Sequence, residues 1–318
     1  MLTSIELCAG AGGQALGLEL GGFGHEALVE IDSHCCSTLR ENRPNWNVIE
    51  DDLGRFKEDA HKFKGVDLVA GGLPCPPFSV AGKQLGEKDE RNLFPDALDI
   101  VDAIRPKAVM IENVRGFLDA VFSDYRAGLK KQLKKLGYTT EWRLLNASHF
   151  GVPQLRPRVV IVAMRDDLAD GFEWPEEQHQ NPPTVGKVLR ELMAEGGWQG
   201  ADAWAKRADE IAPTIVGGSK KHGGPDLGPT RARRAWETLG VNGKTIAEEA
   251  PAPDFVGMPR LTIQMVARIQ GFPDDWKFVG RKTHAYRQVG NAFPPPVARA
   301  VSAQIHEALA EKVVRLRA

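Results

Sequence analysis

The chain has 318 residues, with 41 Lys and Arg against 42 Asp and Glu, a formal charge of −1. That balance excludes a uniformly basic nucleic-acid coat, and 42% hydrophobic with 26% charged residues excludes a disordered or collagen-like chain. No apolar run approaches the roughly 18 residues of a membrane span, and the first residues lack a basic leader, so a cytoplasmic protein is expected.

Short β-rich runs alternate with helical stretches through the first half. Strands are predicted at 4–8, 27–31, 47–49, 66–70 and 108–111, with helices at 14–20, 34–42, 95–104 and 125–136. Such alternation implies a parallel sheet covered on both faces, an α/β fold. Two runs at 139–145 and 159–164 are too close for a helical crossover and are predicted to form an antiparallel hairpin at the end of the sheet. From about Gly171, prolines and paired glycines interrupt the periodicity, and a second, smaller, irregular domain is expected over 171–276 after a catalytic domain at 1–170. The last segment, 277–318, is expected to return to the first domain, with a helix over 296–312 whose Val297, Val301, Ile305 and Leu309 form one apolar stripe.

Gly10-Ala11-Gly12-Gly13-Gln14-Ala15 stands between the first strand and its helix and reads G-x-G-x-x-A. Glycines there let a ligand approach a helix N-terminus, and Glu30, twenty residues after Gly10, is placed to accept from ribose hydroxyls. With Asp52 after the third strand, the pattern points to an adenosine-containing cofactor. The glycines alone do not separate that role from a tight strand-to-helix turn. The four cysteines, Cys8, Cys35, Cys36 and Cys75, have no zinc-type spacing, and no metal is expected. Cys75 differs from the others because Pro74 and Pro76 restrict the backbone on both sides of it at a strand end. The following strand ends Ile111-Glu112-Asn113, which sets a carboxyl on a neighbouring strand end.

With these features the chain resembles the cytosine-5 DNA methyltransferases. The resemblance runs through the glycine loop at 7–13, Glu30, Asp52, Pro74-Cys75, Glu112-Asn113-Val114, Gln154-Leu155-Arg156-Pro157-Arg158, Arg260-Leu261-Thr262 to Gly271-Phe272-Pro273, and Gln288-Val289-Gly290-Asn291-Ala292, in that order. It implies a Rossmann-like S-adenosylmethionine-dependent methyltransferase fold with a target-recognition domain, acting on double-stranded DNA. A monomer of the prokaryotic restriction-modification type is implied, with a cognate restriction endonuclease as partner. Cys75 is implied as the nucleophile that adds to cytosine carbon 6, Glu112 as the acid at ring nitrogen 3, and Arg158 as the cation at the carbonyl oxygen, with Arg156 as its companion by charge or phosphate contact. For the cofactor, the resemblance implies Cys8, Ala9, Gly10 and Gly12 around the methionine part, Glu30 at the ribose, and Ile31, Asp52 and Leu53 at the adenine. Pro74, Leu93 and Asn291 complete that pocket.

Two positions depart from the family pattern. Cys8 stands where Phe is common, and Met265 where Glu is common. The polar segment 79–92 matches the loop that closes over an extruded base and contributes Ser79, Lys83 and Gln84 as DNA contacts. Lys220, Lys221, Arg231, Arg233 and Arg234 form the densest basic clusters of the recognition region and are the remaining DNA contacts expected, although a solvated face has the same composition. An RNA methyltransferase of the tRNA-modifying branch, a catalytically silent DNA-binding paralogue and a nicotinamide dehydrogenase are the alternatives; the dehydrogenase leaves Pro74-Cys75 and the C-terminal motifs unexplained.

Overall fold

A computed structural model describes residues 1–74, 92–178, 182–218 and 224–315, with side chains to residue 310. The expected DNA contacts Ser79, Lys83, Gln84, Lys220 and Lys221, and Cys75, the expected nucleophile, lie outside the described residues.

The chain divides into two compact units. The first comprises Met1–Leu145, Pro157–Glu176 and Val297–Ala318, and the second Asn146–Arg156 and Glu177–Pro296. This division differs from the sequence expectation at both ends, because the return to the first unit comes at Val297 and not at 277. It also places 146–156, the connection between two strands, in the second unit.

The first unit is a seven-stranded sheet: β1 (Leu2–Leu7), β2 (Phe23–Glu30), β3 (Val48–Glu50), β4 (Leu68–Gly72), β5 (Ala108–Val114), β6 (Tyr138–Asn146) and β7 (Pro157–Arg165), in the order β3-β2-β1-β4-β5-β7-β6. The pairs from β3 to β5 are parallel and β5 pairs with β7 antiparallel. The Ala147 N–H donates to the Arg156 carbonyl at one end of the connection, and the Asp166 N–H to the Gly137 carbonyl at the other. Those two bonds fix the β6–β7 hairpin as antiparallel, at the edge predicted from the sequence.

Strand alternation divides the sheet's side chains between two faces. Ile5, Leu7, Val69, Val109 and Ile111 meet helices α3 (Leu53–Asp59), α4 (Phe94–Ile104) and α5 (Ser123–Lys135) in one core. On the other face Leu28 packs with Ala15 of α1 (Gly13–Leu20) and Leu39 of α2 (Ser33–Asn42). The last helix, α11 (Pro295–Arg315), buries its predicted stripe of Val297, Val301, Ile305 and Leu309 to 1% exposure or less. Ser302 of this helix donates to the Gly17 carbonyl of α1 at 3.2 Å. Its hydroxyl lies where a Cβ on Gly21 would be, so that position admits only glycine.

Beyond the helix that the apolar periodicity predicts over 262–270, the second unit is helical where the sequence was expected to be irregular. It holds α6 (Val185–Ala194), α7 (Ala201–Arg207), α8 (Thr230–Thr238), α9 (Ile263–Ile269) and α10 (Lys282–Asn291). Thr184 caps α6, and Leu189, Leu192 and Met193 supply its buried face. Met265 takes the place of the family's Glu in the first turn of α9. Its sulfur accepts the Thr262 N–H at 3.4 Å while Thr262 Oγ accepts the Met265 N–H at 3.3 Å, so a reciprocal cap survives without a carboxylate.

Candidate active site

Three residues of the turn after β1 have positive φ: Cys8 at 54°, Gly10 at 54° and Gly12 at 86°. Glycine takes this conformation without strain, whereas Cys8 is one of two non-glycine residues in the described chain that do so. The turn aims its amides at the end of β2, where Glu30 Oε2 accepts the Gly10 N–H and Oε1 accepts the Asp32 N–H, both at 2.7 Å. Burial pushes the Glu30 carboxyl above the usual carboxylate range despite these two bonds. Each of its oxygens keeps a further acceptor site.

Asp32 and Asp52 cap α2 and α3 by accepting the His34 and Gly54 N–H groups. Leu53 is buried beneath Asp52, while Ile31 beside Glu30 is 62% exposed. Cys8 packs against the core, and burial together with Glu30, Glu6 and Asp52 pushes its thiol well above the ordinary range, so it stays protonated. Glu6 belongs to the same acidic group. It is buried in β1 and held above its ordinary value near 4.5 by burial first and by Glu30 second. Ala9 is buried, Pro74 is exposed, and Leu93 is half-buried against the core at the start of α4.

At the C-terminal edge of β4 and β5 lies a second group. Gly72 ends β4 and is in register with Glu112 of β5, while Val114 of β5 is in register with Arg158 of β7. Glu112 therefore faces Arg158 across the diagonal of an antiparallel pair, a separation long side chains span. The Arg158 Nε donates to Glu112 Oε1 at 2.7 Å, with both side chains largely buried, at 14% and 10% exposure. The structure thus brings together the acid and the cation that the sequence singled out, beside Gly72, which stands three residues before Cys75 in the chain.

Arg156 goes elsewhere. It is fully buried in the second unit, and its guanidinium donates to the carbonyls of Ile215 at 2.7 Å and of Gly290 and Ala292 at 2.9 Å. With three backbone carbonyls as partners at no solvent exposure, its guanidinium is not presented to a phosphate. The expectation of a phosphate contact or a companion to Arg158 therefore does not match this geometry.

Gln154, which the sequence analysis quoted in a motif but gave no role, completes the clamp. Its Oε1 accepts the Ile215 N–H at 2.8 Å, and its Nε2 donates to Gln270 Oε1. Gln270 in turn donates to the Val289 and Ala292 carbonyls. Gly217 and Gly290 touch through their backbones, since a Cβ on Gly290 would lie 2.5 Å from the Gly217 Cα. Asn291, an expected cofactor contact, emerges from this clamp at the end of α10, exposed, and donates to the Gly218 carbonyl at 3.2 Å.

Of the other expected DNA contacts, Arg231, Arg233 and Arg234 lie on α8. Arg231 and Arg234 are exposed, while Arg233 is half-buried and packs at 3.3 Å from where a Cβ on Gly243 would sit. No group of His, Cys, Asp and Glu among the described residues could hold a metal ion.

The chain is 54% identical over 312 residues to a type II methyltransferase of Lentzea aerocolonigenes, M.NaeI, covering 97% of this chain and 75% of the relative. It is 53% identical over 310 residues to the type II methyltransferase M.NgoMIV of Neisseria gonorrhoeae, covering 96% and 98%. The solved fold of the Dnmt2 methyltransferase of S. pombe superposes with a TM-score of 0.64 at 18% identity, covering 99% of each chain, which shows a shared fold. The sequence profile of the C-5 cytosine-specific DNA methylases matches residues 2–307, nearly the whole of both units, and the chain belongs to that family as a DNA cytosine-5 methyltransferase.

Proposed function

We propose that Cys75, Glu112 and Arg158 carry the family's reaction in this chain, on a cytosine flipped out of a specific duplex sequence, with S-adenosylmethionine as methyl donor. The observation that carries the assignment is the Arg158–Glu112 pair at the C-terminal edge of β5, next to the end of β4, the strand that precedes Cys75.

Carbon 5 of cytosine is a weak nucleophile. Addition of the Cys75 thiolate at carbon 6 makes the ring an enamine, electron-rich at carbon 5. Glu112 gives its proton to ring nitrogen 3 as the thiolate adds, and Arg158 holds the carbonyl oxygen and the charge that builds on it. S-adenosylmethionine supplies, when bound, the electrophilic methyl that carbon 5 takes up. A solvent water or hydroxide takes the carbon 5 proton, the electrons of that C–H bond form the 5,6 double bond as the carbon 6–sulfur bond breaks and Cys75 leaves as thiolate, and Glu112 recovers its proton from nitrogen 3.

The residues present fit such a cofactor. A Cβ on Gly10 would meet nothing within 4 Å, so the turn has open space beside its amides. Glu30 has acceptor sites left for ribose hydroxyls, exposed Ile31 offers an apolar face for adenine, and the acids Glu30 and Asp52 favour a cationic sulfonium. Cys8, Ala9 and Gly12 would border the methionine part, Asp52 and Leu53 the adenine, and Pro74, Leu93 and Asn291 the rest of the pocket. The second unit is read as the target-recognition part, with Arg231 and Arg234 on its DNA face. A cognate endonuclease, a monomeric state and a cytoplasmic location complete the reading; no helix among the described residues is long and apolar enough to cross a membrane.

The test is methyl incorporation from S-adenosylmethionine into duplex DNA of varied sequence and into tRNA, for the native chain and for Cys75→Ala. Methylcytosine in DNA, lost in Cys75→Ala, is expected. Incorporation confined to tRNA, or full activity in Cys75→Ala, overturns the assignment.

A further inference from the structure

Gln14 begins the first turn of α1, and at 3% exposure it is among the most buried polar residues of the first unit. Its amide nitrogen reaches the Met110 carbonyl of β5 only at 3.5 Å, and its Oε1 has no hydrogen-bond partner among the described residues. An amide acceptor buried without a partner costs about 1–3 kcal/mol, so its orientation calls for a reason. The reason lies at Gly72. A Cβ built there would stand 3.8 Å from Gln14 Oε1 and 3.6 Å from Glu112 Oε2, so both oxygens border the same small space at the end of β4. Glu112 Oε1 is turned the other way, to Arg158.

Two oxygens directed at one space both lack a proton to share while Glu112 is ionised. Once Glu112 is protonated on Oε2, its O–H is a donor and Gln14 Oε1 is an acceptor. We propose that Gln14 is a positioning residue for the acid of the reaction: its amide oxygen holds the proton on Glu112 Oε2, against the pull of Arg158, until a cytosine enters. On entry the O–H turns from Gln14 to ring nitrogen 3, and the proton passes to nitrogen 3 as the Cys75–carbon 6 bond forms. It returns to Glu112 when that bond breaks, so no other proton source is needed.

A hydrogen bond made only by the neutral carboxyl favours that form, whereas the guanidinium favours the ionised one. Gln14 and Arg158 thus act on Glu112 in opposite senses. Of the elements around Gly72, β1 and the turn after it carry the titratable Glu6 and Cys8, whereas β4 and the first turn of α1 carry none. Glu6 and Cys8 are both held towards their neutral forms by burial.

The inference rests on Glu112 being the acid, and the experiment separates the two. Single-turnover methylation is measured against pH for the native chain, Gln14→Met, Gly72→Ala and Glu112→Gln, with folding checked by thermal melting. Activity needs the protonated acid, so the rate falls on the alkaline side where Glu112 loses its proton. Gln14→Met keeps the length of the side chain and removes the acceptor, so the alkaline limb is expected to move to lower pH by about half to one unit. Gly72→Ala brings a methyl to ordinary contact distance of both oxygens, into the space they border, and is expected to move the limb the same way, which keeps the test open if Gln14→Met does not fold. A lower rate with the limb unmoved in both variants means that Gln14 only packs, and overturns the inference. Full activity in Glu112→Gln overturns instead the assignment of Glu112 as the acid.

Discussion

Arg156 and Arg158 are two residues apart in one motif and do different work. Arg158 meets a single carboxylate at a sheet edge, whereas Arg156 ties Ile215, Gly290 and Ala292 together through their carbonyls with no solvent contact. Removing Arg156 takes its donors from the Ile215 and Gly290 carbonyls, each loss costing about 1–3 kcal/mol, while the Ala292 carbonyl keeps Gln270. Arg156→Leu is therefore expected to lower the stability by several kcal/mol, on the order of the whole margin of a small domain. A cavity adds little, because leucine fills much of the same apolar volume. In Arg158→Leu the rate per folded molecule is expected to fall by more than 100-fold, the usual scale for losing one donor to a developing charge. Thermal melting with single-turnover rates separates the two. Equal melting temperatures for Arg156→Leu and the native chain would return Arg156 to the surface role that its charge first implied.

Elements of the first unit were legible because their chemistry is local. Short β-rich runs alternating with helical stretches gave β1 to β5, and a gap of thirteen residues, too short for a helical crossover, gave the hairpin. In the second unit, Pro182-Pro183 and Gly196-Gly197 read as breaks. Yet Pro183 precedes the Thr184 cap, and Gly197 at φ 85° follows the helix end, so the same residues delimit α6 rather than abolish it. Glycine inside α6 misled in another way. Gly186 lowers helix propensity, but a Cβ there would lie 2.0 Å from the Ala205 carbonyl oxygen, so it is needed for the approach of α7. Gly186→Ala should raise the intrinsic helicity of α6 and nonetheless destabilise the protein, by about 1–3 kcal/mol for the forced separation of the two helices. A melting temperature that rises, as propensity alone would require, would show that α6 and α7 do not pack at this residue. The site was legible to the same extent: Glu112 and Arg158 followed from strand ends, whereas the clamp around Arg156 depends on partners 59 to 136 residues away that no local pattern reveals.

Across the whole chain, near-neutrality conceals two opposed fields. Residues 1–60 hold 11 acids against 4 bases, and Glu6, Glu30 and Asp52 of that set raise the Cys8 thiol together. Residues 219–234 hold 5 bases against 1 acid. An acidic region suits a sulfonium ligand and a basic one suits a polyanion, so the same protein can serve both without an overall charge. The basic region is sharper in the structure than in the sequence. On α8, Trp236 is fully buried, and Arg231 and Arg234 sit three residues apart on the exposed face, while Arg233 turns in against Gly243. Neither Arg231 nor Arg234 forms an ion pair with another described residue. Each phosphate contact adds about 0.9 to the slope of log affinity against log salt. Replacing Arg231 and Arg234 together by Ala is therefore expected to weaken duplex binding at low salt and to flatten that slope by about 1.8, with methylation at saturating DNA little changed. Arg233→Ala is expected to reduce stability before it alters the slope. Affinities titrated from low to physiological salt decide the matter: a slope unchanged in the double variant places the phosphate contacts on another part of the chain.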